Sequence, residues 1–243
     1  MNIKFCTIGD TPALKYARNH LTAWGYEVVT EPDEDVTHML LPVPSLDDQQ
    51  NIRGGRPLKK VLQSIPSQAV ILGGMLPQLP YQTIDLLKDE FYTAENASIT
   101  AHCAVALAMQ TMDCTWKDAK VLIIGWGRIG KCLSEILKSL EANLTVAARK
   151  ESDRAILQAL GYQSVGIGQW KKNYYTLVIN TVPAPVFQSD DAVPNASLID
   201  LASKPGILGN NVEWARGLPN KMAPEFSGKL IAKTALRYAL RKE

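Results

Sequence analysis

Gly125, Gly127 and Gly130 stand in a Gly-x-Gly-x-x-Gly pattern directly behind the apolar run Val121-Leu122-Ile123-Ile124. Glycines at that spacing suit a pyrophosphate. The first permits a tight turn, the second lets the backbone come close to the phosphates, and the third lets a helix pack against the strand. Trp126, Arg128 and Ile129 fill the gaps, and Ile129, Leu133, Ile136, Leu137 and Leu140 then recur at helical spacing. A buried strand, glycines and a helix in that order make a dinucleotide-binding fingerprint, with the helix's free N–H groups and dipole facing the phosphates. The alternative is a glycine-rich turn that binds nothing.

The next strand, residues 143–147, is expected to identify the dinucleotide. NAD-binding units carry an acid at the end of that strand for the ribose hydroxyls. Here the position is Ala148, followed by Arg149 and Lys150. A cation there pairs with a 2′-phosphate, so the residues favour NADP, with NAD still possible. Two solvated cations beside Glu151 are the alternative.

These pieces need a scaffold. Residues 3–8 alternate as a strand, Pro12 begins a helix with Leu14, Ala17, Leu21 and Trp24 on one face, and Gly25 stops it. Residues 26–29, 36–41 and 69–72 read as further strands, with a fifth inside residues 86–92. Residues 47–56 read as a mobile, solvated loop in which Arg53 and Arg56 are candidate carboxylate ligands. Residues 99–112 form a long apolar helix bridging two domains, 1–95 and 96–224. Strands at 177–180 and 196–201 run into turn residues, and residues 225–243 form an amphipathic helix. Strands alternating with helices predict an α/β chain of doubly wound parallel sheets.

Composition narrows the function. Of 243 residues, 46% are hydrophobic and 21% charged, ordinary for a globular protein, and a net charge of +2 gives no case for nucleic acid or an anionic membrane. No apolar run is long enough to span a bilayer. Cys6, Cys103, Cys114 and Cys132 are scattered, and His20, His38 and His102 do not cluster with them, so no metal site is expected. Reduced thiols point to the cytoplasm.

Beyond the fingerprint, the chain resembles the family of dipicolinate synthase A subunits from about Asn96 onward. The resemblance rests on Glu95-Asn96-Ala97-Ser98-Ile99-Thr100, the fingerprint itself, Ala148-Arg149, Ile179-Asn180-Thr181-Val182-Pro183 and Ile199-Asp200-Leu201-Ala202-Ser203-Lys204-Pro205-Gly206, with Gly217-Leu218-Pro219 and Ala223-Pro224 closing it. It implies a flavodoxin-like first domain, a Rossmann NAD(P)-binding second domain, and a last helix that packs back on the first. The chain departs from the family pattern at Ala101-His102-Cys103, at Ile207-Leu208 and at Asn220.

The implied reaction oxidises a cyclic dihydro- or tetrahydrodipicolinate to pyridine-2,6-dicarboxylate, made for bacterial spores. The implied partners are that small dicarboxylate, further copies of the chain and a flavoprotein-like second subunit. Aromaticity drives such a step, so the protein has to orient the substrate, clamp its carboxylates and supply a proton acceptor. Lys204 is the candidate clamp, with Arg53 or Arg56 across a cleft. Asn180, Thr181, Val182 and Pro183, with Leu201, Ala202 and Ser203, are expected around the nicotinamide and its ribose. His102 is the candidate proton acceptor, and Ser98 and Thr100 either face the cleft or cap the bridging helix. The strand ends at Leu41-Pro42, Leu72-Gly73, Asn180-Thr181 and Ala202 to Lys204 are expected to converge on one pocket with the bridging helix as its floor. Two other functions fit the residues: an NADP-dependent dehydrogenase of another amino or keto acid, and a weakly active nucleotide-binding subunit.

Overall fold

The structure, a computed structural model, describes residues 3–241. Contacts divide the chain into two compact units, one ending at Asn96 and resuming at Pro219, the other running Ala97–Leu218.

The first unit is built from β1 (Lys4–Thr7), α1 (Pro12–Ala23), β2 (Glu27–Val29), β3 (His38–Leu40), α2 (Leu58–Leu62), β4 (Val70–Gly73), β5 (Thr83–Asp85) and the first turns of α3 (Glu90–Thr111). Its five strands are all parallel in the order β2-β1-β3-β4-β5, the flavodoxin-like arrangement. Helices on both faces leave no wet side, which is why Phe5, Cys6, Met39, Leu40, Ile71 and Leu72 are fully buried in unbroken apolar runs. The start of α1 is capped twice. Thr11 Oγ1 accepts the Leu14 N–H at 3.3 Å, and Asn220 Oδ1 accepts the Ala13 N–H at 3.1 Å. The family departure at Asn220 thus has a local use.

Two expectations fail in this unit. The fifth strand is Thr83–Asp85, upstream of residues 86–92, which hold a 3-10 turn and the start of α3. Capping aspartates decide this: Asp85 Oδ1 accepts the Leu87 N–H, and Asp89 Oδ1 accepts the Tyr92 N–H at 2.7 Å. Helix α3 therefore begins well before Ser98 and Thr100, which lie in its interior and not at its start. Residues 47–56 are not a loose loop either. Asp47 Oδ1 accepts the Gln49 and Asn51 N–H groups, the Arg53 carbonyl accepts the Asp10 N–H, and Ile52 is 1% exposed in the core. Arg53 Nε donates to the Leu46 carbonyl, and Arg56 pairs with Glu31 at 2.7 Å.

The second unit contains β6 (Lys120–Ile124), α4 (Arg128–Ser139), β7 (Asn143–Ala147), α5 (Glu151–Ala159), β8 (Gln163–Val165), β9 (Leu177–Asn180), β10 (Phe187–Gln188), β11 (Ser197–Asp200), β12 (Ile207–Leu208) and β13 (Val212–Trp214). Six strands pair in parallel in the order β13-β11-β9-β6-β7-β8. Numbered within the unit this is 3-2-1-4-5-6 read from the β8 edge, the Rossmann order. Val121 to Ile124 have no exposed surface, and Leu133 and Leu137 are the buried stripe of α4.

The chain then returns to the first unit through α6 (Leu218–Met222) and α7 (Pro224–Ala239). The expected tail helix thus stops at Ala239, and its last two positions, 242–243, lie outside the described residues. A Cβ at Gly228 would lie 2.5 Å from the Ala13 carbonyl oxygen and the Tyr16 Cβ, so α1 and α7 touch backbone to backbone there. Helix α7 is also tied to the start of α3. Tyr238 Oη donates to Asp89 Oδ2 at 2.7 Å, and Arg237 Nη2 donates to the same oxygen.

Asp89 therefore links two helix ends of the first unit. Burial alone would raise its pKa, but donors from the Tyr92 N–H, Arg237 and Tyr238 outweigh it and hold the carboxyl below its usual value. A depressed folded pKa means that this stabilisation is complete above the unfolded carboxylate range and is lost as pH falls through the folded value. Asp89→Ala is expected to cost about 2–4 kcal/mol near neutral pH. In thermal melts, the gap between wild type and variant should narrow as pH drops below about 4. A gap constant down to strong acid would show that the carboxylate's charge contributes nothing.

Candidate functional site

Because β11, β9, β6 and β7 are parallel neighbours, their carboxyl ends lie side by side on one edge of the second unit's sheet. The loops leaving them are tied together one step beyond the strands. Gly125 N–H donates to the Ala147 carbonyl, Thr181 N–H to Ile124 and Leu201 N–H to Asn180, each at 2.9 Å. This edge brings together the fingerprint residues 125–130, Ala148 to Lys150, Asn180 to Pro183 and Leu201 to Lys204. In the first unit, Leu41-Pro42 follow β3 and Leu72-Gly73 end its neighbour β4.

The three fingerprint glycines have different reasons to be glycine. Gly125 has φ +108°, and a Cβ there would strike the Thr181 hydroxyl. A Cβ at Gly130 would strike the Gly125 carbonyl, so α4 sits directly on the turn. Gly127 is different: its φ of −82° suits any residue, and a Cβ there would meet nothing within 4 Å. It is also the N-cap of α4, and being glycine it offers the helix's first N–H groups no side-chain cap. Open space above bare helix N–H groups is what a pyrophosphate requires. Arg128 is exposed, and Ile129 half-buried. Trp126 turns away to pack on Tyr162, ring centroids 5.9 Å apart, with the Lys131 ammonium 5.8 Å from its ring. Burial and the neighbouring Glu135 carboxylate push the Tyr162 phenol up to about 12, and its hydroxyl donates to Glu135 Oε2 at 3.0 Å.

At the end of β7, Ala148 is buried and Arg149 and Lys150 are exposed. Ion pairs among the described residues include neither cation. A third cation joins them. Arg154, on the first turn of α5, donates from Nη1 to the Ala148 carbonyl at 3.0 Å and to the Arg149 carbonyl at 2.9 Å.

The β9 and β11 ends are organised by a group absent from the expected site residues, Asp200. Its side chain is buried and its two oxygens take four donors. Oδ1 accepts the Asn180 Nδ2 at 2.9 Å and the Ala202 N–H at 3.0 Å, while Oδ2 accepts the Gly206 N–H at 2.6 Å and the Ile207 N–H at 2.9 Å. Asn180 is correspondingly engaged. Its amide donates also to the Val182 carbonyl at 2.9 Å and accepts the Val182 N–H at 3.0 Å. With no exposed surface, the Asn180 side chain shapes the loop and does not reach a ligand, which corrects its expected role as a direct nicotinamide contact. Thr181 Oγ1 donates to the Ile124 carbonyl at 2.9 Å and keeps its lone pairs for a donor. Trp214 Nε1 donates to the Ala202 carbonyl at 2.9 Å and fixes the same loop from β13. The family departure at Ile207 is a packing choice: its side chain fills the core with Trp170 and Phe187 while β12 pairs with β10.

Leu201 and Ala202 are buried, so they define the loop, whereas Val182 is half-buried and Pro183, Ser203 and Lys204 are exposed. Lys204 takes part in none of the ion pairs among the described residues. His102 and Thr100 lie on α3, His102 exposed and Thr100 buried. Ser197 Oγ donates to the Thr111 carbonyl at 2.7 Å, so the end of α3 meets the amino end of β11. His102 and Thr100 are about three turns back along that helix. Among the described residues no group of three or more His, Cys, Asp or Glu is placed to hold a metal, and no helix is long and apolar enough to cross a membrane.

Two hollows of about 460 and 430 Å³ open on the second unit, lined by residues such as Asn173, Asn195 and Asn211, and Thr111, Ser197 and Glu213. They lie at the amino ends of β11 and β13, opposite the edge where parallel sheets bind ligands. The fingerprint turn and the open ground at Gly127 are at the carboxyl edge.

The chain is similar to the A subunit of dipicolinate synthase from Bacillus subtilis, 25% identical over 194 residues, covering 70% of this chain. It spans about 65% of that relative's length. Its fold matches the A subunit of dipicolinate synthase from Bacillus halodurans with a TM-score of 0.86 at 20% identity, covering 100% of this chain and 99% of that one. Transhydrogenase from Sinorhizobium meliloti matches with a TM-score of 0.72 at 14% identity, over 97% of this chain and 93% of that one. No protein-family model matches the chain.

The Asp200 arrangement yields a stability test. Asp200→Ala leaves buried N–H donors without an acceptor and is expected to cost at least about 3 kcal/mol. Asp200→Asn should do nearly as badly, because its NH₂ group would face donors. Chemical denaturation followed by circular dichroism checks this. An Asn variant as stable as wild type would mean that the loop donors have other acceptors.

Proposed function

We propose that the chain is the nicotinamide-dinucleotide-dependent oxidoreductase subunit of a dipicolinate synthase-type enzyme. It would oxidise a dihydro- or tetrahydrodipicolinate to pyridine-2,6-dicarboxylate in spore formation. The observation that carries the reading is the open ground above Gly127 and the uncapped start of α4, a shape a dinucleotide's pyrophosphate fits. Similarity along most of the chain to the A subunit of dipicolinate synthase supports the substrate class.

In this reading the α4 amino end holds the pyrophosphate, and Ala148, Arg149 and Lys150 receive the adenosine ribose and favour NADP over NAD. The Thr181 hydroxyl and the loops from Val182 to Pro183 and Leu201 to Ser203 line the nicotinamide side. A bound nicotinamide supplies a hydride acceptor. Lys204 projects from a loop fixed by Asp200 and Trp214 and takes a substrate carboxylate. Oxidation of a dihydropyridine to the aromatic ring removes one hydride and one proton, and a tetrahydropyridine gives up two of each, to two equivalents of the dinucleotide. His102, exposed on α3, is the residue we assign to receive the proton, and the buried Thr100 of the same helix is the remaining catalytic candidate. A homo-oligomeric assembly and a flavoprotein-like second subunit belong to the same proposal.

Turnover tests it directly. The chain should form reduced nicotinamide and pyridine-2,6-dicarboxylate from dihydrodipicolinate and NADP, either alone or once the second subunit is added. Activity only in the pair would make this chain a dependent subunit, and no product in either case would overturn the reading. Lys204→Ala should raise KM for the dicarboxylate far more than it weakens cofactor binding.

Binding tests the cofactor site. Gly127→Val should stay folded, losing no more than about 1 kcal/mol because valine is a poorer N-cap than glycine, yet bind dinucleotide at least about tenfold more weakly. NADPH should bind more tightly than NADH, and Arg149→Ala should reduce that gap by about 1.5–3 kcal/mol. Normal binding by the Gly127 variant would reduce the fingerprint to a turn.

A further inference from the structure

The cation that stands out is Arg154, which neither the fingerprint nor the end of β7 predicts. Its Nη1 bridges two successive carbonyls, those of Ala148 and Arg149. Those carbonyls belong to the turn where a ribose-binding acid would otherwise stand. A guanidinium has five N–H donors in a rigid plane, so bridging with Nη1 leaves the Nε and Nη2 edge for another acceptor. The bridge also fixes the backbone that carries the Arg149 side chain. The amino end of α5 does not explain a site here, because Glu151 and Asp153 in its first turn would repel an anion. Any anion at this turn must be held by the side chains of Arg149, Lys150 and Arg154.

We propose that Arg154 is the specificity-determining residue of this turn. It holds the Ala148-Arg149 backbone with one nitrogen and presents the rest of its guanidinium, together with Arg149, to the 2′-phosphate of an adenine dinucleotide. This rests on the dinucleotide reading above and adds to it the group that distinguishes the phosphorylated from the unphosphorylated ribose. Lysine cannot do the same, since one ammonium cannot bridge two carbonyls and still offer a planar pair of donors.

Equilibrium titration of the full chain with NADPH, NADH, adenosine 2′,5′-bisphosphate and adenosine 5′-monophosphate separates the possibilities. In wild type the ligands bearing a 2′-phosphate should bind more tightly than their counterparts. Arg154→Ala should weaken NADPH and the bisphosphate by about tenfold while changing NADH and the monophosphate less than about twofold. Arg154→Lys should recover little, and combining Arg154→Ala with Arg149→Ala should give less than the sum of the two losses. Equal weakening of all four ligands in Arg154→Ala would reduce the residue to a structural brace and overturn the proposal. So would no preference for the 2′-phosphate in wild type, with the dinucleotide reading still standing. Wild type binding neither dinucleotide would overturn both.

Discussion

A buried carboxylate holds the ligand edge of the second unit in shape. Asp200 ends β11 almost wholly buried, and both oxygens are filled by donors from Asn180, Ala202, Gly206 and Ile207. Burying such a group is costly unless every lone pair is met. The two loops that leave β9 and β11 are therefore bound to the positions that meet it. Gly206 has to be glycine for this reason, since a Cβ would collide with the Asn180 amide and lie 2.5 Å from the Val182 carbonyl oxygen. Lys204 is carried on a span whose two ends, Ala202 and Gly206, are pinned to the same carboxylate. Its placement is a consequence of the cage and not of any contact the lysine makes.

The fold is largely legible from periodicity and turn residues. Apolar runs at residues 121–124 and 177–180 are buried strands because both faces of a parallel sheet are covered, and such runs have few alternatives. What periodicity misses depends on short polar side chains acting at a distance of two or three residues. Asp85 and Asp89 cap a 3-10 turn and a helix, so the fifth strand falls earlier and α3 starts about two turns sooner than its apolar face suggests. Residues 47–56 look solvated in sequence because nearly all their side chains are polar, yet Asp47 folds the segment onto itself and Ile52 anchors it in the core.

The candidate site is legible in its types and less so in its roles. The fingerprint glycines and the cations after β7 stand where the strand-to-helix spacing puts them. Asn180, by contrast, is an interior brace. Polar residues at a strand end look the same in sequence whether they face a ligand or a neighbouring loop. Asp200 does leave a signal: an acid closing an apolar run, four residues before Lys204, is too costly to bury without a dedicated set of donors. Arg154 leaves a weaker one, being one helical turn into α5 from the cation pair it supports.

Glycines offer a way to separate architecture from ligand binding in such a site. Gly125, Gly130 and Gly206 are each accounted for by the protein alone, through a left-handed φ or a neighbour that a methyl group would strike. With no ligand at all, those three would still have to be glycine. Gly127 would not. Its backbone is ordinary, its missing Cβ faces nothing within 4 Å, and at an N-cap serine, aspartate or asparagine would serve the helix start at least as well. A residue that neither its φ nor its packing requires leaves room for another cause. In the proposed reading, that cause at the start of α4 is an acceptor coming closer to the backbone than a side chain would allow.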